Sequence, residues 1–112
     1  MNKYLNELFN LDGKVAVVTG AGGHLCSEMA KGLARVGCAV AILDLRLEKA
    51  KAVENNLRTE GLANVMSIAI DVAKKEEHIS ALNEILEKFD QVDILINGAG
   101  INSPSPFLEI TL

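Results

Sequence analysis

Hydrophobic residues in this chain alternate between short uninterrupted runs and stretches with helical spacing. Four runs rich in valine and isoleucine predict buried strands, at Lys14–Thr19, Ala39–Asp44, Val65–Asp71 and Val92–Asn97. Three intervening segments carry apolar stripes typical of amphipathic helices. The stripes are Leu25, Met29, Leu33 and Val36, ending at Gly37; Leu47, Ala50, Val53 and Leu57, ending at Gly61; and Ile79, Leu82, Leu86 and Phe89.

Strand–helix–strand units of this length favour parallel pairing with right-handed crossovers. We therefore expect an α/β fold of three layers, with helices on both faces of a parallel sheet in the order 3-2-1-4. At 112 residues the chain is expected to form a single domain, with residues 1–12 as an N-terminal extension. Ligands of such sheets bind at the carboxyl ends of the strands where the order reverses, between strands one and four.

A glycine-rich turn, T-G-A-G-G-H-L-C, follows the first predicted strand. Gly20, Gly22 and Gly23 allow a ligand to approach the backbone closely, and a helix that begins there directs free N–H groups at an anion. The turn therefore predicts a phosphate site for a nucleotide. It departs from a strict G-x-G-x-x-G pattern, because Leu25 stands where the last glycine would be.

Asp44 ends the second predicted strand, 24 residues after Gly20. A carboxylate about 20 residues after such a turn accepts hydrogen bonds from the ribose hydroxyls of a dinucleotide. Its charge would repel the additional phosphate of NADP, so the sequence predicts NAD, although Arg46 offers a possible partner for that phosphate. An alternative for Asp44 is a cap on the following helix.

Composition narrows the possible partners. The formal net charge is −4 and the basic residues are scattered, which argues against binding to nucleic acid. The longest apolar run, Cys38–Leu43, is too short to span a membrane, and no signal peptide is evident, so we expect a cytoplasmic protein without a membrane partner. The two cysteines and two histidines lack metal-ligand spacing, which predicts free thiols and no metal site.

Four segments together resemble the short-chain dehydrogenase/reductase family. They are F-N-L-D-G-K-V-A-V-V-T-G at Phe9–Gly20, Asp44, Asp71-Val72, and V-D-I-L-I-N-G-A-G at Val92–Gly100. The resemblance extends from Phe9 to Leu112 and implies a Rossmann fold, an NAD(P) cofactor, and hydride transfer to or from an alcohol or carbonyl carbon.

The resemblance also implies roles for individual residues. Asp71 would bond the adenine amino group with Val72 packed beside it, and the N-x-A-G motif at Asn97 would line the cofactor cleft. The complete predicted cofactor set is Thr19, Gly20, Gly22, Gly23, His24, Leu25, Asp44, Asp71, Val72, Asn97, Ala99 and Gly100.

Three positions depart from the family pattern. In T-G-x3-G-x-G, His24 and Cys26 replace glycines, and Gly98 replaces the second asparagine of N-N-A-G. His24 could contact phosphate, face a substrate, or be a tolerated substitution. The stretch T-G-A-G-G-H-L-C-S-E-M-A-K-G-L-A-R resembles the D-mannonate (fructuronate) oxidoreductase branch, which also replaces the middle glycine, and this hints at sugar-acid substrates.

The family's acid–base pair, Tyr-x-x-x-Lys, is absent, because the only tyrosine, Tyr4, is followed four residues later by Leu8. No catalytic residue is therefore predicted, and we expect the N-terminal cofactor-binding half of an NAD-dependent oxidoreductase, truncated after the fourth strand and inactive alone. A stand-alone nucleotide-binding module and a non-binding interaction domain are the alternatives. The exposed fourth strand or neighbouring apolar helix faces would favour self-association.

Overall fold

The computed structural model describes residues 2–98 and contains a four-stranded parallel sheet with helices on both faces. The strand order is β3-β2-β1-β4, which confirms the predicted 3-2-1-4 arrangement. In chain order the elements are α1 (Lys3–Phe9), β1 (Val15–Thr19), α2 (His24–Arg35), β2 (Ala39–Asp44), α3 (Leu47–Thr59), β3 (Val65–Ala69), α4 (Lys75–Phe89) and β4 (Ile94–Asn97).

Strand β1 lies between two separate hydrophobic cores. Ala16 and Val18 belong to the core shared with α2 and α3, whereas Val15 and Val17 belong to the core shared with α4. All five residues of β1 are buried. This burial on both faces accounts for the uninterrupted apolar run in the sequence, because neither face of the strand meets water.

Helix α2 presents a different face to the sheet from the one predicted. It buries Ser27, Ala30 and Ala34, whereas Leu25 and Met29 are 66% and 40% exposed. Of the four predicted residues only Leu33 packs against the core, so the stripe was wrong for the other three. Small side chains occupy the contact, where dense packing leaves little space between helix and sheet.

The other two predicted stripes had different outcomes. Helix α3 buries three of its four predicted residues, Ala50, Val53 and Leu57, whereas Leu47 is exposed. Helix α4 instead buries Ala81 and Ile85. Of its four predicted residues only Phe89 packs against the core. The other three are exposed, namely Ile79, Leu82 and Leu86.

Element boundaries differ from the predicted ones in three strands and at the N-terminus, and β1 begins at Val15 instead of Lys14. Strand β3 ends at Ala69 because Asp71 already begins a turn, in which its carboxylate Oδ1 accepts the Ala73 N–H at 3.0 Å. Strand β4 begins at Ile94. Residues 1–12 were assigned no structure from the sequence, yet Lys3–Phe9 form α1, capped by the Asn2 side chain and without a buried residue. Within residues 2–98 no helix is long and apolar enough to cross a bilayer.

A buried carboxylate ties α3 to β3. Glu54, only 9% exposed, accepts hydrogen bonds from the Ser67 hydroxyl and from Arg58 Nε, the latter at 2.8 Å. Arg58 Nη2 also donates a hydrogen bond to the carbonyl oxygen of Val65 at 2.9 Å. Burial acts to raise the pKa of Glu54, but the hydrogen bonds from Ser67 and Arg58 outweigh it and hold this pKa below its ordinary value.

We expect Glu54→Gln to remove about 1–2 kcal/mol of folding free energy at neutral pH, because bonds to a charged group are lost. The folded-state pKa of Glu54 lies below its ordinary value of 4.5, so its stabilisation is present above that pH and is lost as pH falls through the folded pKa. Urea unfolding from neutral to acidic pH should therefore show a shallower decline for Glu54→Gln than for the parent. Glu84→Gln, a change at an exposed position of α4, serves as the control; equal pH profiles for all three proteins would contradict the assignment.

Candidate cofactor-binding site

The carboxyl ends of β1 and β4 are joined through the hydroxyl of Thr19. The backbone N–H of Gly98 donates to Thr19 Oγ1 at 3.0 Å, and Thr19 Oγ1 lies 3.1 Å from Asn97 Oδ1. Thr19 is 5% exposed. These bonds hold together the two strands between which the sheet order reverses, which is where ligands of open α/β sheets bind.

The predicted glycine turn leaves β1 at this point. Gly20 has a φ of +66°, a conformation that favours glycine, and its carbonyl oxygen accepts the N–H of Gly23 at 3.1 Å. Ala21, fully buried, donates its N–H to the carbonyl oxygen of Leu43 at 3.0 Å. The turn is thus bonded to the end of β2 as well as to itself, and its shape is set by backbone contacts.

Helix α2 begins directly after the turn. Gly23 is its N-cap and contributes no side-chain cap, so the N–H groups at His24, Leu25 and Cys26 point outward from the helix start. His24 and Leu25 are exposed. The positive end of the helix dipole and these N–H groups form the anion-attracting end of α2.

Asp44 lies beside the turn, at the end of β2. Its Oδ2 accepts the N–H of Gly22 at 3.0 Å and its Oδ1 accepts the N–H of Arg46 at 2.9 Å. The N-cap of α3 is Arg46, so Asp44 does not cap that helix directly, although it shapes the turn before it. A carboxylate offers about four acceptor positions, and two backbone donors leave capacity for two ribose hydroxyls.

Glycine is required at position 22 because the side chains of Asp44 and Lys49 lie close to its backbone. A Cβ atom at position 22 would lie 2.6 Å from Lys49 Cβ and 2.8 Å from Asp44 Oδ2, distances that real Cβ atoms do not show. The sequence predicts close ligand approach at Gly22 and does not predict its bond to Asp44. The only signal in the sequence is the position of Gly22, 22 residues before a strand-terminal aspartate.

Asp71 and Val72 follow β3 and are half-buried. The Asp71 N–H donates to Glu77 Oε1 at 2.9 Å, and the carbonyl oxygen of Val72 lies 2.7 Å from His78 Nε2. These bonds hold the turn after β3 against the start of α4. Asn97 ends β4 beside Thr19, whereas Ala99 and Gly100 lie outside the described residues.

Outside these strand ends, the reactive groups to consider within residues 2–98 are the two cysteines and any cluster that could bind a metal ion. Cys26 and Cys38 are free thiols, and burial, followed by the nearby carboxylates of Asp93 and Asp12, raises the pKa of Cys38. Within that range no group of three or more histidine, cysteine, aspartate or glutamate side chains is placed to hold a metal ion. The polar groups that converge on one place are therefore those at the ends of β1, β2 and β4.

Comparison with known proteins agrees with this geometry. A sequence model of short chain dehydrogenases matches residues 14–112. The chain belongs to the short-chain dehydrogenase family. It is 44% identical over 90% of its length to the uncharacterized oxidoreductase UxuB of Bacillus subtilis (strain 168), and 32% identical over 94% of its length to 5-keto-D-gluconate 5-reductase of Escherichia coli (strain K12).

A solved structure extends the comparison to three dimensions. A proposed D-mannonate oxidoreductase of Haemophilus influenzae with bound NAD superimposes with a TM-score of 0.79 at 38% identity, over 89% of this chain and 35% of that one. The chain spans 36% and 41% of the lengths of the two sequence relatives. The short-chain dehydrogenase fold of residues 2–98 is thus the NAD(P)-binding Rossmann fold of an oxidoreductase family.

We expect Gly22→Ala to destabilise the protein by about 1–3 kcal/mol, because the added methyl overlaps Lys49 and Asp44. The matched control is Gly32→Ala, where a Cβ atom meets nothing within 4 Å. That change replaces glycine inside α2 and should stabilise by about 0.5–1 kcal/mol. Thermal unfolding of both variants measures the difference, and a neutral Gly22→Ala would refute the close contact.

Proposed function

We propose that this chain binds NAD at the carboxyl ends of β1, β2 and β4 and forms the cofactor-binding part of an oxidoreductase. The observation that carries the proposal is the Asp44 carboxylate, held by the Gly22 N–H at 3.0 Å beside the start of α2. A negative group and an anion-attracting helix end are thereby placed next to one another. A dinucleotide presents ribose hydroxyls to the first and a pyrophosphate to the second.

The residues of the site take the following roles in this proposal. The turn at Gly20, Gly22 and Gly23 lies under the pyrophosphate, which accepts N–H bonds at His24 and Leu25. Asp44 accepts the ribose hydroxyls, and NAD itself supplies the hydride-accepting ring. The adenine lies by Asp71 and Val72, and Asn97 lines the cleft.

NAD is favoured over NADP by charge. The carboxylate of Asp44 is anchored by two backbone N–H groups, so it cannot swing away without breaking both bonds. A 2′-phosphate placed on the same ribose would lie close to this negative charge and would be repelled. The NAD bound in the Haemophilus influenzae relative supports the same choice.

The substrate class we propose for the full-length protein is a molecule with a hydroxyl or carbonyl group, and a sugar acid is the example that we favour. Its support is the resemblance of the turn to the D-mannonate oxidoreductase branch and the named activity of the Escherichia coli relative on 5-keto-D-gluconate. We assign no proton-transfer residue within this chain, since Tyr4 lies on α1 and has Leu8 in place of the lysine. A role in nucleotide binding alone remains the alternative.

We expect Asp44→Ala to weaken NAD binding by about tenfold, since two hydroxyl bonds to a charged acceptor are lost. NADP binding should be unchanged or improved, because the repulsion is removed. Calorimetric titration with each dinucleotide measures both effects. Asp12→Ala is the matched control, as Asp12 is an exposed carboxylate before β1, at the opposite end of the sheet. Equal NAD affinity in Asp44→Ala and the parent would remove the ribose assignment.

We also propose that a second copy of the chain is a partner through β4. Among residues 2–98, β4 has a neighbouring strand on one side only, and Leu95 is 64% exposed. Leu82 of α4 adjoins Leu95 along the same apolar groove. Two identical free edges pair about a two-fold axis, which buries the groove of each copy and satisfies the unpaired edge groups.

Sedimentation velocity should accordingly show a concentration-dependent dimer at tens of micromolar. Leu95→Lys should shift the protein toward monomer, because a charge would be buried in the shared apolar surface. Leu8→Lys on α1, also at an exposed leucine, should leave the distribution unchanged. A stable parent monomer at high concentration would count against this partner.

A further inference from the structure

Cys26 and Gly98 meet where the start of α2 adjoins the end of β4. Cys26 lies in the first turn of α2, and Gly98 directly follows β4. A Cβ atom at position 98 would lie 2.1 Å from Cys26 Sγ, far inside contact distance. The thiol therefore occupies the volume that a side chain at position 98 would need.

The backbone conformation at position 98 does not itself demand glycine. Gly98 is not among the glycines with positive φ. A Cβ atom there would also approach the carbonyl oxygen of Thr19, at 2.9 Å, but the shorter overlap is with the thiol. The Cys26 thiol and the backbone carbonyl of Thr19 therefore both limit the space for a side chain at position 98, and only the contact with the thiol can be removed by substitution.

The two residues are also two of the three departures from the family pattern. Position 26 is glycine in T-G-x3-G-x-G and is larger here, whereas position 98 is asparagine in N-N-A-G and is smaller here. The enlarged residue points into the space vacated by the reduced one. The larger residue at position 26 is therefore matched by a smaller residue at position 98, where α2 meets β4.

We propose that Cys26 and Gly98 form a steric pair that positions the start of α2 against the end of β4. The pair adjoins the Thr19 hydroxyl, which receives the Gly98 N–H at 3.0 Å, so a displaced Gly98 also strains the β1–β4 junction. Displacement would move the amides of α2 that face the pyrophosphate. This role rests on the proposed NAD binding, whereas the steric pairing itself does not.

A double-mutant cycle on the full 112-residue chain tests the pairing by thermal unfolding. Gly98→Ala should lower Tm by about 10 °C in the parent. It should lower Tm by about half as much in the Cys26→Ala background, because an alanine Cβ at position 26 would lie 3.5 Å from the new methyl, an ordinary contact, whereas the 2.9 Å approach to the Thr19 carbonyl oxygen remains. Cys38→Ala is the matched control background, since Cys38 is a buried thiol at the amino end of β2. There the loss should equal that in the parent.

Equal Tm losses in the parent and Cys26→Ala backgrounds would overturn the pairing, and so would failure of Gly98→Ala to fold in both. A Gly98→Ala variant that folds only with Cys26→Ala would support it.

NAD titration at low temperature, where the variants are folded, tests the positioning role. We expect Gly98→Ala to bind NAD at least fivefold more weakly than the parent, and Cys26→Gly/Gly98→Asn to bind within about threefold of it.

Unchanged NAD affinity in folded Gly98→Ala would overturn the positioning role and leave the pair as a packing contact. A parent that binds no NAD would instead refute the proposed function. In that case the Tm cycle still decides whether the steric pair exists, so the two failures are distinguishable.

Discussion

The candidate site depends on the hydrogen bonds of Thr19 at the end of β1. This buried hydroxyl receives the N–H of Gly98 and lies within bonding distance of the Asn97 side chain, so the ends of β1 and β4 are held together at the switch in strand order. A buried hydroxyl without partners would cost free energy. The two strand ends are therefore fixed relative to one another by the requirement to satisfy it.

A second constraint is the small space between two glycines and the side chains that pack against their backbone. Gly22 leaves room for the Asp44 carboxylate, and Gly98 leaves room for the Cys26 thiol. In each case the glycine serves a protein side chain that approaches the backbone. Gly22 and Gly98 thus have a packing role, and this role is visible only in three dimensions.

The departures from the family motif have different physical meanings. Cys26 faces Gly98, so a change at one position is matched at the other. His24 is exposed at the start of α2, and its backbone carbonyl, which accepts the Ser27 hydroxyl at 2.8 Å, is independent of its ring. Replacement of glycine by histidine therefore leaves the helix start intact.

The sequence by itself determined the strands, their parallel order and the residues at their carboxyl ends, because buried strands require uninterrupted apolar runs and crossover handedness leaves few topologies. It also identified Asp44 and the glycine turn by their spacing. It misassigned much of the inner faces of α2 and α4, since the sheet is covered there by Ala30, Ala34 and Ala81. Among the larger residues of these helices Ile85 is buried, and Leu33 and Phe89 are partly buried. Only the tertiary structure decided these faces and the contacts of Gly22 and Gly98, because each depends on which distant side chain occupies the adjoining space.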